Sequence, residues 1–96
     1  MSGYRLSNRA DSDLFDIFVY GIDAFGEAQA LIYQNDLDWV FRLLAENPRL
    51  GRLAPLVGPD IRRHEHASHV ILYEEDEKGV VILAVVHSRN IRRLAI

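Results

Sequence analysis

The side chains best able to do chemistry lie in the second half of the chain. Arg62-Arg63 opens a stretch containing His64, His66 and His69, and His87-Ser88-Arg89 leads into Arg92-Arg93. Imidazoles titrate near neutral pH and can move protons, while guanidiniums hold carboxylates or phosphates through forked N–H donors. Acid–base catalysis, metal binding and anion docking are the chemistries to weigh. For acid–base work His87 could act with Arg62, Arg63 and Arg89 as phosphate clamps, but no orienting partner for it is visible in the sequence. For a metal, His64 and His66 share one strand face, His69 would have to come from the next strand, and no acid or cysteine completes a set. No catalytic residue, metal or cofactor is expected, and His69 is expected to anchor a hairpin by hydrogen bonding.

Anion docking is the better match. The tail from His87 to Ile96 holds Arg89, Arg92 and Arg93 and no acid, although the chain carries a net charge of −3. We take Arg62, Arg63, His87, Arg89, Arg92 and Arg93 as the candidate target-facing surface. Adjacent strand residues point to opposite faces, so at most one of Arg62 and Arg63 can share it. Net acidity argues against a sequence-independent grip on nucleic acid, which needs many cations along the phosphate backbone. No direct sequence-specific nucleic-acid binding is expected.

The elements that must position these groups are legible in outline. Tyr4 to Ser7 alternates as a short strand. Asn8 suits a helix N-cap, with Asp11 in the first turn, so a helix begins near residue 9. Ala10, Leu14, Ile17, Phe18, Gly21 and Phe25 recur at helical spacing as its core stripe, and Gly26 ends it. A second helix from about Glu27 to Asn47 turns Ala30, Tyr33, Leu37, Val40, Phe41 and Leu44 inward and stops before Pro48; so tight a joint makes the pair antiparallel.

Gly51, Pro55, Gly58 and Pro59 make residues 48–60 a loop. Strands then follow over 61–67, 68–75 and 80–87, with a turn at 76–79. The last strand is apolar at every position from Val80 to Val86, which marks one covered on both faces inside a sheet. The order β-α-α-β-β-β predicts an α+β domain, an antiparallel helical hairpin on a small, mainly antiparallel sheet.

Ninety-six residues with 49% apolar content make one domain, residues 1–96. The chain has no cysteine, so disulfides and thiolate sites are excluded, and a reducing cytoplasm is the expected compartment. No run is long enough to span a bilayer and no signal peptide is recognisable, so no membrane association is expected. Residues 11 to 46 hold eight acids against Arg42 alone, so the helical layer is acidic and the sheet layer carries most arginines. Ala28, Ile32, Trp39 and Leu43 form an apolar row opposite the core stripe of the second helix, and Phe15, Val19 and Ile22 flank the first. Such a surplus fits a partner helix laid on the hairpin, and predicts self-association of the free chain.

The order of motifs resembles the ParE branch of the RelE/ParE toxin superfamily, the stable halves of type II toxin–antitoxin pairs. The resemblance rests on Tyr4-Arg5-Leu6-Ser7, Ala10 with Asp13-Leu14 and Ile17, Phe25-Gly26 with Ala30, Asn47-Pro48-Arg49-Leu50-Gly51, Arg62-Arg63, His69 to Tyr73, and Val86-His87 with the basic tail. It implies a growth inhibitor directed at DNA gyrase through protein contact and silenced by a cognate, ParD-like antitoxin, whose amphipathic segment would cover Phe15, Val19, Ile32, Trp39 and Leu43. The alternative it implies is a ribosome-dependent mRNA endonuclease of RelE type. Against that, the 49–60 loop offers no lysine or glutamate, Val70 stands where such nucleases often place a phosphate-binding arginine, and no tyrosine follows His87. A third outcome is a toxin fold that has lost toxicity.

Overall fold

A computed structural model of the chain describes residues 3–91. Strand β1 (Gly3–Leu6) leads into helices α1 (Asn8–Phe25) and α2 (Glu27–Glu46), followed by β2 (Arg52–Leu53), β3 (Arg62–His66), β4 (His69–Asp76), β5 (Gly79–His87) and a 3-10 turn at Ser88–Asn90. The sheet order is β1-β5-β4-β3-β2. β1 runs parallel to β5, and every other pairing is antiparallel. The α+β hairpin-on-sheet expectation holds, with one strand more than the sequence revealed. β2 pairs only Arg52 with Arg63 and Leu53 with Arg62, too short a run to leave a periodic signature.

The start of α1 differs from expectation in a way that matters. Ser7, not Asn8, is the N-cap: its hydroxyl accepts the Ala10 amide at 3.0 Å and donates to the Leu83 carbonyl at 2.8 Å. One side chain therefore caps the helix and ties it to β5. β1 stops covering β5 where Leu6 meets Ile82. Beyond that point α1 takes over, and the Asp13 carboxylate accepts the Val85 amide at 2.9 Å.

β5 is buried on both sides, as its uniform apolarity predicts. The helix-facing core gathers Ala10, Leu37, Val40, Phe41 and Leu44 against Ile71, Tyr73, Val80, Ile82 and Val85. On the reverse face Val70, Leu72, Ala84 and Val86 lie under Val57, Ile61 and Ile91. A register shift sets Leu72 opposite Ala84 but Tyr73 opposite Ile82, leaving Leu83 as the extra residue of a bulge. That shift puts Ile82 and Val85, three apart, on the same face and erases any alternating pattern from the sequence.

The α2 stripe is buried as expected at Ala30, Leu37, Val40, Phe41 and Leu44, while Tyr33 is only partly buried. The α1 stripe is shallower: Ala10 alone is fully buried, Leu14 and Ile17 pack from the margin, and Phe25 is 69% exposed. Phe25 is the last residue of α1, where the hairpin tip overhangs the sheet.

Candidate functional site

The arginines chosen from the sequence do not share one surface. Arg62 lies on the helix-facing side opposite Tyr73, and its guanidinium donates to the Gly51 carbonyl at 2.8 Å. Tyr73 meets the same turn, donating to the Pro48 carbonyl and accepting the Gly51 amide, each at 2.8 Å. Arg62 thus pins the 48–51 turn, four residues or about 13 Å along β3 from the level of His66. Arg63 faces the other way and shares Glu65 with Arg52, at 3.1 and 2.8 Å. Neither stands beside His87. His87 and Arg89 do lie together at the end of β5, and Arg92 and Arg93 fall outside the described residues.

The end of β5 belongs to a cleft of about 930 Å³ between the hairpin and the sheet. Its α1 wall carries Arg9, Asp13, Asp16, Ile17 and Tyr20, with Phe25 and Tyr33 above and His69, His87 and Arg89 below. The Tyr33 hydroxyl lies 2.6 Å from His69 Nδ1, so the expected anchoring role of His69 is met by a partner on α2 that the sequence did not suggest. Burial, then the neighbouring His87 and His66, push the His69 pKa below 6.5. Burial and Asp36 raise that of Tyr33. Both shifts favour the neutral pair. His64 is not among the cleft residues, and among the described residues no group of three histidine, aspartate or glutamate side chains is placed to hold a metal.

The second candidate surface is the helical hairpin. Phe15 and Trp39 are 67% and 64% exposed, and Val19 and Ile32 are about half exposed. Leu43 is only half-buried. Tyr20, Phe25 and Leu31 extend the exposed apolar set beyond the residues anticipated. No described helix is long and apolar enough to cross a membrane.

With this geometry in hand, comparison with known proteins decides the family. A model of the ParE toxin of type II toxin–antitoxin systems, parDE, matches residues 4–92. The chain belongs to the ParE toxin family. Toxin ParE1 of Caulobacter vibrioides is 34% identical over 92 residues, 96% of each chain. Toxin ParE1 of Mycobacterium tuberculosis is 32% identical over 89 residues, covering 92% of this chain and 91% of that one. A chain of the chromosomal ParDE TA system from P. aeruginosa superposes with a TM-score of 0.75 at 21% identity, over 91% of this chain and 96% of that one. This protein is therefore a ParE-type toxin, and the hairpin-on-sheet architecture is that of a ParE fold.

Proposed function

We propose that this ParE-type toxin arrests growth in the cytoplasm by engaging DNA gyrase through protein contact, and that a cognate antitoxin of ParD type neutralises it. The observation that carries this reading is the division of its surface. One end offers His87 and Arg89, followed in sequence by Arg92 and Arg93, as forked cationic donors for a macromolecular target. The hairpin offers Phe15, Val19, Ile32 and Trp39 as bare apolar anchors, with Leu43 at their margin, for an amphipathic antitoxin segment. Arg62 and Arg63 stand apart from this end, engaged with the Gly51 carbonyl and with Glu65.

One observation favours the enzymatic alternative, a ribosome-dependent mRNA endonuclease. Tyr33 and His69 form a donor–acceptor pair beside Arg89, which is the raw material of acid–base catalysis. Two assays separate the readings. A gyrase inhibitor accumulates gyrase–DNA cleavage complexes with purified enzyme and leaves in vitro translation intact; an endonuclease gives ribosome-dependent cuts by primer extension and spares gyrase.

A further inference from the structure

Adjacent strands carry one histidine each at the same level of the sheet. His66 on β3 is in register with His69 on β4, and His69 with His87 on β5. The His69 and His87 ring centroids are 5.7 Å apart, and the Tyr33 ring stands 5.6 Å from His66 and 5.5 Å from His69. Two of the rings are held through the same atom. His69 Nδ1 lies 2.6 Å from the Tyr33 hydroxyl, which also reaches the His66 carbonyl at 3.5 Å, and His87 Nδ1 accepts the Arg89 amide at 3.2 Å. In the neutral His87 ring the proton then resides on Nε2, leaving that N–H as the donor the imidazole can offer.

Both imidazoles and Arg89 line the cleft, and so do Ile17, Tyr20 and Phe25. Polar donors thus stand at one end of a concave site with apolar walls, the usual layout for a small ligand with a polar head. The acids on the α1 wall narrow the choice of head group. Asp13 is engaged with Arg9 and with the Val85 amide, while Asp16 is exposed. A dianionic phosphate would meet both carboxylates, whereas a monoanion with an apolar body pays a smaller repulsion.

We propose that this corner binds a small carboxylic acid with an apolar or aromatic body. His69, His87 and Arg89 receive the carboxylate, and Ile17, Tyr20 and Phe25 receive the body. The site overlaps the proposed target-facing surface at His87 and Arg89 but does not depend on gyrase being the target, because binding is read on the toxin alone.

Binding is proton-linked. The groups bearing on the carboxylate are Arg9, Asp13, Asp16 and Tyr20 from α1, Tyr33 from α2, His66, His69 and His87 from the strands, and Arg89 from the 3-10 turn. Of these, His69 has its pKa held below 6.5 by burial and by the neighbouring His87 and His66, and a bound carboxylate favours its charged form. Affinity therefore rises as the pH falls toward the lowered pKa of His69, and by reciprocity the bound acid raises that pKa.

The test is an NMR titration of the full chain, following the histidine ring signals, with phenylacetate, phenylacetamide and inorganic phosphate as probes. Phenylacetate is expected to shift the His69 and His87 ring signals saturably and to move the His69 titration midpoint upward. The neutral amide should bind about tenfold more weakly or worse, since it forfeits the charge-assisted bonds. His87→Gln combined with Arg89→Gln should weaken phenylacetate by a similar factor with an unchanged circular dichroism spectrum. Equal binding of acid and amide, measured on the unaltered protein, would overturn the proposal whether or not the variant folds. So would tighter binding of phosphate than of phenylacetate, or absence of any saturable shift.

Discussion

The Asp13 carboxylate accepts the Val85 backbone amide at 2.9 Å and at the same time the Arg9 guanidinium, also at 2.9 Å. β1 covers only the first half of the outer edge of β5, and this carboxylate, with the Ser7 hydroxyl on the Leu83 carbonyl, satisfies backbone groups that no strand reaches. Helix α1 is thereby fixed to the sheet by hydrogen bonds as well as by packing, which holds one wall of the cleft in place.

Removing that carboxylate should therefore cost more than a surface substitution does. Asp13→Ala leaves the half-buried Val85 amide without an acceptor and is expected to lower stability by roughly 1–3 kcal/mol, against about 0.5 kcal/mol or less for an exposed site such as Asp23→Ala. Asp13→Asn keeps an acceptor oxygen and should recover most of the loss. Urea unfolding midpoints at constant slope measure all of these.

Two backbone positions with positive φ should respond in opposite directions. Gly79 sits at φ 136° and a Cβ there would overlap the Gly3 carbonyl oxygen, so Gly79→Ala strains the turn and forces β1 off β5. A loss of at least about 1–3 kcal/mol is expected. Ala67, at φ 52° in the β3–β4 turn, bears the cost of a left-handed L-residue, and Ala67→Gly should gain up to about 1 kcal/mol. Thermal melts of the two variants would show shifts of opposite sign.

Acidification should loosen the contact between α2 and the sheet. The His69 pKa is lowered in the fold from 6.5 by burial and by His87 and His66. The unfolded chain therefore takes up this proton first as the pH falls. The contribution of His69 is complete above about pH 6.5 and is lost progressively as the pH falls from there toward its lowered folded value. His69→Gln should flatten that part of the stability–pH curve. A curve of the same slope with and without His69 would contradict the assignment.

The exposed hairpin row yields a prediction that stability measurements alone would miss. Trp39→Ala, at a site 64% exposed, should change folding stability by no more than about 0.5 kcal/mol, reduce self-association of the free toxin, and cost about 2 kcal/mol or more of antitoxin affinity by titration calorimetry. Unchanged antitoxin affinity would remove Trp39 from that interface.

How much of this was legible follows from which signals are local. Both helices and β5 rest on periodicity and composition within one segment, and they fold where the sequence places them. Ser7 displaced Asn8 as the cap because its hydroxyl also reaches Leu83, a partner 76 residues away. Phe25 fits the helical stripe by spacing yet is exposed, because the stripe continues past the end of the core. The histidine row depends on strand register, although a clue was present: His66 and His69 flank a two-residue turn, which makes them cross-strand partners in a tight hairpin. Spacing places Tyr33 in the core stripe of α2, and its ring does pack at the edge of the core; its hydroxyl chemistry depends on where α2 crosses the sheet.

The central claim is that the basic end of this ParE-type toxin docks on gyrase without cutting a nucleic acid itself. The most direct measurement is the yield of gyrase–DNA cleavage complexes with the wild-type toxin and with the Arg89→Ala, Arg92→Ala, Arg93→Ala triple variant, both shown to be folded. Cleavage complexes that accumulate with the wild type and fall by about tenfold or more with the variant are the predicted result. Equal accumulation with both proteins, or none with either while messenger RNA is cut on the ribosome, would contradict it.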